Sequence, residues 1–552
     1  MRIDDIAKEF IKQAIKRGIS SRLDLQKLKN EFSTKYKISS LSSVELVRAY
    51  DGESPEFEKL IRKRGVRSTS GIASITVITK DFDCPGKCIY CPKEPEMPKS
   101  YLSNEPAVMR AILNDFDPYR QVVSRLKGLK KTGHMTDKIE LIIAGGTFNF
   151  YPRQYQANFV RGVFNGLNFD VGGGVGGVDK TGRGSGQKKA KSLALAQKVN
   201  ESAKHRCVGL SVETRPDYIS EKELKHFRVL GVTKVEVGVQ CLDDQIYRLN
   251  KRGHGVKAVR DALKLLKDAG FKINVHFMPN MYGSNLKKDF EMFKGLFDDP
   301  DFRPDWLKIY PCVVVPYSPL GKLYKAGKHR PYSDKELIRL LVKFKEIVPE
   351  YCRITRLYRD IPAESILGGS KLSNLRQYVQ AEMAKQGKKC RCIRCREIKE
   401  ERYNLKDIRL VERHYDSSGG EEYFLSFEDV KNDKLIAYLR LRIPSQHFSR
   451  KKHWIDELNG SSIIRELHVF GEHVPVSGRS RLASQHIGFG RKLIEKAKEI
   501  TAKKGLAKLS VISGVGVREY YRKLKFKDGE LYQSLSVGEN HPLCGNLAQN
   551  VV

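Results

Sequence analysis

The chain has 552 residues, and its 101 lysines and arginines against 65 aspartates and glutamates leave a formal net charge of +36. That length predicts two large domains and a smaller one. The positive charge favours a polyanionic partner, usually nucleic acid, over a generic basic surface. No apolar run is long enough to span a membrane and no signal-peptide core follows Met1, so we expect a cytoplasmic protein that binds no membrane.

Residues 1–69 predict a small basic module of short helices. Apolar residues recur at helical spacing in the first of them, so one face packs and the other is basic. Such a face suits binding of nucleic-acid phosphates without base reading, although an ordinary solvated face has the same pattern. The cations of this segment are Lys8, Lys12, Lys16, Arg17, Lys27, Lys29, Lys35, Lys37, Lys59, Arg62, Lys63, Arg64 and Arg67.

Residues 70–330 alternate between strand and helix patterns. This alternation indicates parallel strands with crossover helices, and about six repeats fit a partial (β/α)6 barrel whose reactive end lies at the strand C-termini. The glycine-rich segment 172–186 predicts a surface loop; it neither follows a strand nor opens a helix, so it is not a nucleotide fingerprint. The predicted strands are 72–79, 139–144, 208–212, 234–239, 273–278 and 307–310.

Three cysteines, Cys84, Cys88 and Cys91, follow the first predicted strand at the spacing C-x3-C-x2-C. Three thiolates on one loop hold three irons of a 4Fe–4S cluster and leave the fourth iron open. In radical S-adenosylmethionine (SAM) enzymes, SAM binds that iron and is cleaved to a 5'-deoxyadenosyl radical. A zinc knuckle with a remote fourth ligand is the alternative. The aromatic Tyr90 before the last cysteine favours the cluster.

Glycines and polar residues at the other strand ends would share the mouth of such a barrel. A double glycine lets backbone approach a ligand such as the methionine end of SAM, and a carboxylate there either binds SAM or makes a structural salt bridge. A lysine inside an apolar strand, as at 308, is costly unless it is used or paired. The candidates are Gly145, Gly146, Thr147, Glu213, Gln240, His276, Met278 and Lys308.

Residues 331–402 predict a linker that begins with a helix near 333–348. Arginines and tyrosines alternate over 351–359, a pattern that suits phosphate binding and base stacking, or equally an exposed strand edge. Cys390, Cys392 and Cys395 follow at the spacing C-x-C-x2-C. This spacing predicts a structural zinc site of three thiolates, with a fourth ligand that the sequence does not identify.

Residues 403–537 change to antiparallel strands, near 408–415, 423–427, 435–443 and 463–470, before a helix at 489–503. A Q-x-x-G-x-G loop opens that helix, as in the GNAT acetyltransferases that bind the pyrophosphate of coenzyme A on freed backbone N–H groups. Tyr520 and Tyr521, on a later helix, are candidate proton donors to the thioester sulfur, with core packing as the alternative. The loop residues are Gln485, His486, Ile487, Gly488, Phe489 and Gly490.

Seven motifs spanning both halves, from roughly residue 5 to 535, resemble the family of the catalytic subunit of Elongator, in its stand-alone archaeal or bacterial form. They are Cys-Pro-Gly-Lys-Cys-Ile-Tyr-Cys-Pro, Gly-Gly-Thr-Phe, Glu-Thr-Arg-Pro-Asp, Leu-Lys-Ile-Tyr-Pro, Arg-Glu-Leu-His-Val-Phe-Gly, Gln-His-Ile-Gly-Phe-Gly and Ser-Val-Ile-Ser-Gly-Val-Gly-Val-Arg-Glu-Tyr-Tyr. The resemblance implies an α/β protein with a radical SAM barrel and a GNAT domain. The tail 538–552 carries no motif.

The resemblance implies synthesis of 5-carboxymethyluridine at the wobble position of tRNA from acetyl-CoA and SAM. The radical would take hydrogen from the acetyl methyl group, and the carbon radical would add to C5 of uridine. By matching motif, Cys84, Cys88 and Cys91 hold the cluster and Lys308 serves acetyl-CoA turnover. The residues implied for the acetyltransferase site are Glu466, His468, Tyr520 and Tyr521.

The implied partner is the anticodon region of tRNA. The resemblance leaves open whether the protein is a homodimer or acts as a single chain, and it implies no other Elongator subunits. A rival from another class is a protein lysine acetyltransferase whose cluster is structural, but a net charge of +36 repels basic protein tails. A tRNA-binding scaffold without catalysis is the third hypothesis.

Overall fold

The computed structural model describes residues 3–52, 54–61, 71–169, 189–399, 401, 403–470 and 488–537. The glycine-rich segment 172–186, the tail 538–552, the cations at 62–67 and the loop residues Gln485, His486 and Ile487 lie outside the described residues. No helix in the described ranges is long and apolar enough to cross a membrane.

Four helices form the N-terminal segment around a core of their own. Phe10 and Phe32 meet edge to face at its centre, with ring centroids 5.1 Å apart. Lys8, Lys12 and Lys16, one helical turn apart, are exposed on the opposite face of the first helix. The helices are α1 (Ile3–Lys16), α2 (Arg22–Tyr36), α3 (Ser43–Ala49) and α4 (Pro55–Ile61).

The first sheet has seven strands in chain order, and each pairs in parallel with the next. Helices between the strands cover one face, which is the partial barrel expected. The strands are β1 (Ala73–Ile78), β2 (Lys138–Ala144), β3 (Arg206–Thr214), β4 (Lys234–Gln240), β5 (Lys272–Phe277), β6 (Trp306–Ile309) and β7 (Arg353–Arg356).

The sheet contains one strand more than the six expected. β7 lies within the arginine–tyrosine run at 351–359 and pairs with β6, with Trp306 opposite Arg353, so this run contains an edge strand. The helices after β1 are α5 (Pro106–Ile112), α6 (Pro118–Lys131), α7 (Arg153–Asn168), α8 (Leu193–Asn200), α9 (Glu221–Val229), α10 (Asp244–Leu249), α11 (Val256–Asp268), α12 (Leu286–Asp298), α13 (Leu320–Lys325), α14 (Asp334–Ile347), α15 (Leu375–Lys385) and α16 (Ile393–Arg396).

The second sheet is mixed, with the order β13-β14-β12-β11-β10-β9-β8. β11 and β12 pair in parallel only from Ser461 to Ile464, whereas β11 continues to Val469, so the sheet opens beyond that point. The elements are β8 (Ile408–Ser417), β9 (Gly420–Asp429), β10 (Lys434–Ile443), α17 (Ser445–Ser449), β11 (Ser461–Val469), α18 (Phe489–Lys503), β12 (Lys508–Val511), α19 (Arg518–Lys523), β13 (Lys527–Asp528) and β14 (Gln533–Ser536).

Buried ion pairs join the two sheets. Arg442 on β10 donates to Asp268, at the end of α11, over 2.7 Å. Arg465 on β11 donates to Asp305, just before β6, over 2.9 Å, and all four side chains are at most 1% exposed. Gly514 after β12 packs so closely on β3 that a Cβ there would lie 2.3 Å from the carbonyl oxygen of Val208. The opened side of the second sheet is therefore held against the N-terminal ends of the barrel strands.

Candidate functional site

One cavity of about 1500 Å³ joins the concave face of the first sheet to the opening of the second. Its upper end, at the C-termini of the parallel strands, is lined by the loop that carries Cys84, Cys88 and Cys91. Its lower end is lined by Glu466 and His468 on β11. Parallel-strand barrels place their reactive groups at the C-terminal mouth, so the two predicted sites lie at opposite ends of one space.

The cysteine loop is surrounded by cations. Cys88 Sγ lies 3.3 Å from Nη1 of Arg252 and 3.8 Å from Nη1 of Arg215. A hydrogen bond from Cys91, together with the Arg252 charge, lowers the pKa of Cys88 well below its ordinary value. Thiolate is the form that ligates iron. Cys84, whose Sγ lies 3.8 Å from Oγ1 of Thr147, completes a donor set that fits a 4Fe–4S cluster.

The double glycine after β2 has the backbone that only glycine adopts readily, with φ of 139° at Gly145 and 103° at Gly146. A Cβ at Gly145 would lie 1.9 Å from Oγ1 of Thr79. Glu213 accepts hydrogen bonds from the Tyr101 hydroxyl at 2.8 Å and from the Gly145 amide at 3.4 Å. The structure thus brings the glycines and Glu213 together beside the cysteine loop.

Gln240 ends β4 with a φ of 75°, a left-handed conformation that is unfavourable for a side chain other than glycine. It lines the cavity, and its Oε1 is buried with no hydrogen-bond partner among the described residues. Backbone strain of this kind concentrates at ligand sites. Gln240 therefore presents an amide oxygen to whatever occupies the upper cavity.

Lys308 was expected to be used or paired, and it pairs with the carboxylate of Glu236 on β4. Burial opposes the charged forms, yet Lys308 holds the pKa of Glu236 well below its ordinary value, and Glu236 raises the pKa of Lys308. His276 Nε2 lies 2.9 Å from the same carboxylate. The three side chains form one hydrogen-bonded group in the wall of the cavity.

The lower end of the cavity contains the start of α18 and the two tyrosines of α19. Gly488 caps α18 with a φ of 81°. A Cβ at Gly490 would lie 2.9 Å from the Tyr520 hydroxyl, so glycine at 490 admits this tyrosine next to the helix start. Tyr520 is 40% exposed and Tyr521 only 6%. Tyr520 is thus the tyrosine placed beside Gly490, while Tyr521 packs on Phe526.

Glu466 lies on β11, beyond its last pair with β12. Its carboxylate accepts hydrogen bonds from Arg440 Nε at 2.9 Å and from Trp306 Nε1, at the start of β6, at 3.2 Å. His468, two residues on, stacks on Tyr438 with ring centroids 5.9 Å apart. Glu466 is therefore a fixed anion that links the two sheets at the lower end of the cavity.

The second cysteine triplet lies between the sheets, away from the cysteine loop. The sulfur atoms of Cys390, Cys392 and Cys395 all lie within 4.8 Å of one another. Lys345 Nζ lies 3.6 Å from the sulfur of Cys395. A hydrogen bond from Cys390 lowers the pKa of Cys392 well below its ordinary value, which favours thiolate there. This donor set fits a structural zinc ion. Within the described ranges, no further histidine, cysteine or carboxylate joins this group.

Three site residues were missing from the sequence analysis. Glu236 is a charged residue within an apolar strand pattern, the same signal that identified Lys308. Arg215 lies in the Glu-Thr-Arg-Pro-Asp motif, one residue after β3. Arg252 follows α10 in a loop, and no local pattern distinguishes it from the other arginines.

Two family models match the chain between residues 82 and 385, the radical SAM superfamily over residues 82–294 and the radical SAM C-terminal domain over residues 304–385. The chain is 43% identical over 520 residues to tRNA uridine(34) acetyltransferase of Methanocaldococcus infernus, covering 91% of this chain and 93% of that one. It is 36% identical over 546 residues to human Elongator complex protein 3, covering 95% of both.

A solved structure, the archaeal Methanocaldococcus infernus Elp3 with an N-terminal deletion of residues 1–46, matches with a TM-score of 0.72 at 41% identity. The match covers 85% of this chain and 99% of that one. These likenesses span both sheets in the same order, so the resemblance drawn from the motifs is confirmed.

Proposed function

From the premise that this chain belongs to the family of tRNA uridine(34) acetyltransferases and Elongator complex protein 3, we propose that it makes 5-carboxymethyluridine at the wobble position of tRNA. Membership makes it a radical SAM enzyme that modifies the wobble uridine. Acetyl-CoA supplies the two added carbons. The reaction takes place in the cytoplasm and needs no other Elongator subunit.

The proposal rests on one observation: the same cavity is lined by the cysteine loop, which fits a cluster, and by the opening between β11 and β12, which fits a thioester. When bound, the 4Fe–4S cluster and SAM supply the 5'-deoxyadenosyl radical that takes hydrogen from the acetyl methyl group. Forming a carbon–carbon bond at such an unactivated methyl group requires a radical, which explains why one chain carries both sites.

At the upper end, Cys84, Cys88 and Cys91 hold the cluster. Arg252 and Arg215 offset the negative charge that thiolates bring into this buried place. Glu213 and the backbone at Gly145 and Gly146 bind SAM, and Gln240 accepts a hydrogen bond from it. Lys308, held by Glu236, points an ammonium group at the acyl oxygen.

At the lower end, the N-terminus of α18 binds the pyrophosphate of coenzyme A, because its free N–H groups and positive potential attract phosphate. Water adds to the thioester carbonyl as the C–S bond breaks, and Tyr520 donates a proton to the departing sulfur, so that acetate and CoA thiol are formed. Glu466 and His468 line the acyl end of this site. Cys390, Cys392 and Cys395 hold zinc, which fixes the segment between the sheets.

The tRNA binds by its anticodon region, with the phosphates on the exposed lysines of α1 and the uridine at the upper mouth. The test is anaerobic reconstitution with iron, sulfide, SAM and acetyl-CoA labelled in the acetyl carbons, followed by nucleoside analysis of the tRNA. Labelled 5-carboxymethyluridine is the expected product. Label on a basic peptide offered in competition would instead indicate a lysine acetyltransferase, and no label anywhere would indicate a scaffold.

A further inference from the structure

The lower part of the barrel interior has polar side chains that the steps above do not use. Lys272, Asn274 and His276 alternate along β5 and line the cavity, since residues two apart on a strand share a face. At a rise of about 3.3 Å per residue, the three span roughly 13 Å from the floor of the barrel to its mouth.

Lys272 lies at the floor, where its ammonium group has no hydrogen bond or ion pair within the described part of the chain. Burial lowers the pKa of Lys272, and the negative charges of Glu466 and Glu140 offset this shift only in part. Asn274, at 1% exposed, has an Oδ1 with no hydrogen-bond partner among the described residues. Unpaired buried polar groups are costly unless a ligand satisfies them.

The floor is also where the two sheets meet. Trp306, two residues before Lys308 on β6, donates a hydrogen bond to Glu466 at 3.2 Å. Lys234 Nζ lies 4.2 Å from the centroid of the Trp306 ring. The thioester end of the cavity therefore opens onto the floor of the barrel, and the cysteine loop lies at the top.

We propose that the interior of the half-barrel is the path by which the acetyl unit passes from the thioester site to the cluster site. Lys272 forms an intermediate binding site for its oxygen, and Asn274 lines the same stretch of the path. The ligand is acetate, the two-carbon carboxylate formed when water cleaves the thioester, and a lysine ammonium group donates hydrogen bonds to its oxygens. The inference rests on the proposed function and adds the route between its two sites.

Gly209 on β3 offers a place to block this path. A Cβ there would meet nothing nearer than Thr233 Oγ1 at 3.7 Å, Glu140 Cγ at 3.9 Å and Lys272 Nζ at 4.0 Å. Alanine is accommodated at ordinary contact distances, whereas a phenylalanine ring would extend into the space beside Lys272. Gly209→Ala is thus a matched control for Gly209→Phe.

The experiment measures labelled nucleoside, CoA release and 5'-deoxyadenosine formation in the reconstituted full chain. We expect Gly209→Phe to lower labelled nucleoside by about tenfold or more relative to Gly209→Ala, since misplacing a reactant costs on the order of a hundredfold. CoA release and 5'-deoxyadenosine formation should match those of the control. Equal nucleoside yields overturn the route. Loss of CoA release or of 5'-deoxyadenosine formation overturns the route as well, because the phenylalanine would then disturb the thioester site or the cluster site itself.

Lys272→Met tests the intermediate site without adding bulk. If iron content and thermal unfolding show that Gly209→Phe does not fold, Lys272→Met alone tests the route. We expect it to lower labelled nucleoside while CoA release persists; an unchanged yield removes Lys272 from the path. Labelled free acetate in place of acetyl-CoA should give no labelled nucleoside, and incorporation would contradict loading from the thioester end. If the unsubstituted chain makes no labelled 5-carboxymethyluridine, the proposed function itself fails.

Discussion

The ammonium group of Lys308 and the carboxylate of Glu236 form an ion pair inside the half-barrel, with side-chain exposures of 10% and 0%. Their strands, β6 and β4, are separated by β5, and His276 on β5 bonds the same carboxylate. One anion therefore fixes two cationic or polar side chains that face the space between the two proposed cofactor sites.

Glu236→Gln should lower the free energy of unfolding by about 3 kcal/mol at neutral pH, because an unpaired buried lysine remains. Glu236→Leu combined with Lys308→Met should be nearer the unsubstituted chain in stability but inactive. Denaturant unfolding of the three proteins measures this. A double variant as unstable as the single one would contradict the ion-pair account.

The same pair sets a pH window for stability. The pKa of Glu236 is lowered on folding, so its contribution is complete above the unfolded value of about 4.3 and is lost as pH falls through the folded pKa. The pKa of Lys308 is raised, so its contribution is complete below about 10.4 and is lost as pH rises through the folded value. The stability difference between Glu236→Gln and the parent should be constant between these limits and shrink in acid.

Cys88→Ala and Cys392→Ser should remove different metals. The first should abolish iron content, cluster absorbance and SAM cleavage while zinc and tRNA affinity persist, because the two cysteine triplets are separate sites. Elemental analysis of the anaerobic protein measures both metals, with the buried Cys207→Ala as control. Zinc in place of iron at the first triplet would contradict the radical assignment.

Cys392→Ser should release zinc and leave iron and SAM cleavage in place. We also expect a lower midpoint of thermal unfolding, because zinc bound to the folded state stabilises it. Chelator treatment of the unsubstituted chain should produce the same fall. An unchanged zinc content would show that the metal binds elsewhere.

Replacing Lys8, Lys12 and Lys16 together by Gln should weaken tRNA binding. For each of these lysines that neutralises a phosphate, its removal should make the slope of log affinity against log salt shallower by roughly 0.7 to 0.9. A control with the same charge change removes Lys257, Lys287 and Lys288, which are exposed on α11 and α12. Equal affinities in a filter-binding titration would exclude α1 from the tRNA site.

Tyr520→Phe should slow tRNA-stimulated CoA release by about a hundredfold, the lower limit for loss of a general acid. Partial burial raises the pKa of Tyr520, so its hydroxyl stays protonated and able to donate near neutral pH. Tyr521→Phe is the matched control on the next residue. A larger loss in Tyr521→Phe would reverse the assignment.

Short-range patterns were sufficient for much of this protein. The cysteine spacings and the alternation of strand and helix each act over short distances in the chain, where chain geometry alone brings the residues together. The seventh barrel strand, β7, was not predicted, because alternating arginines and tyrosines are compatible with both an edge strand and an RNA-binding surface.

The sequence by itself determined which chemical groups the chain carries and in which segments, since a loop of eight residues, Cys84 to Cys91, presents its thiols whatever the rest of the chain does. Only the tertiary structure decided that Glu236 pairs with Lys308, that Arg252 lies beside Cys88, and that Trp306 bonds Glu466 on the other sheet. These partners are 72 to 164 residues apart. Their meeting depends on strand order and on the packing of one sheet against the other, which no local spacing encodes.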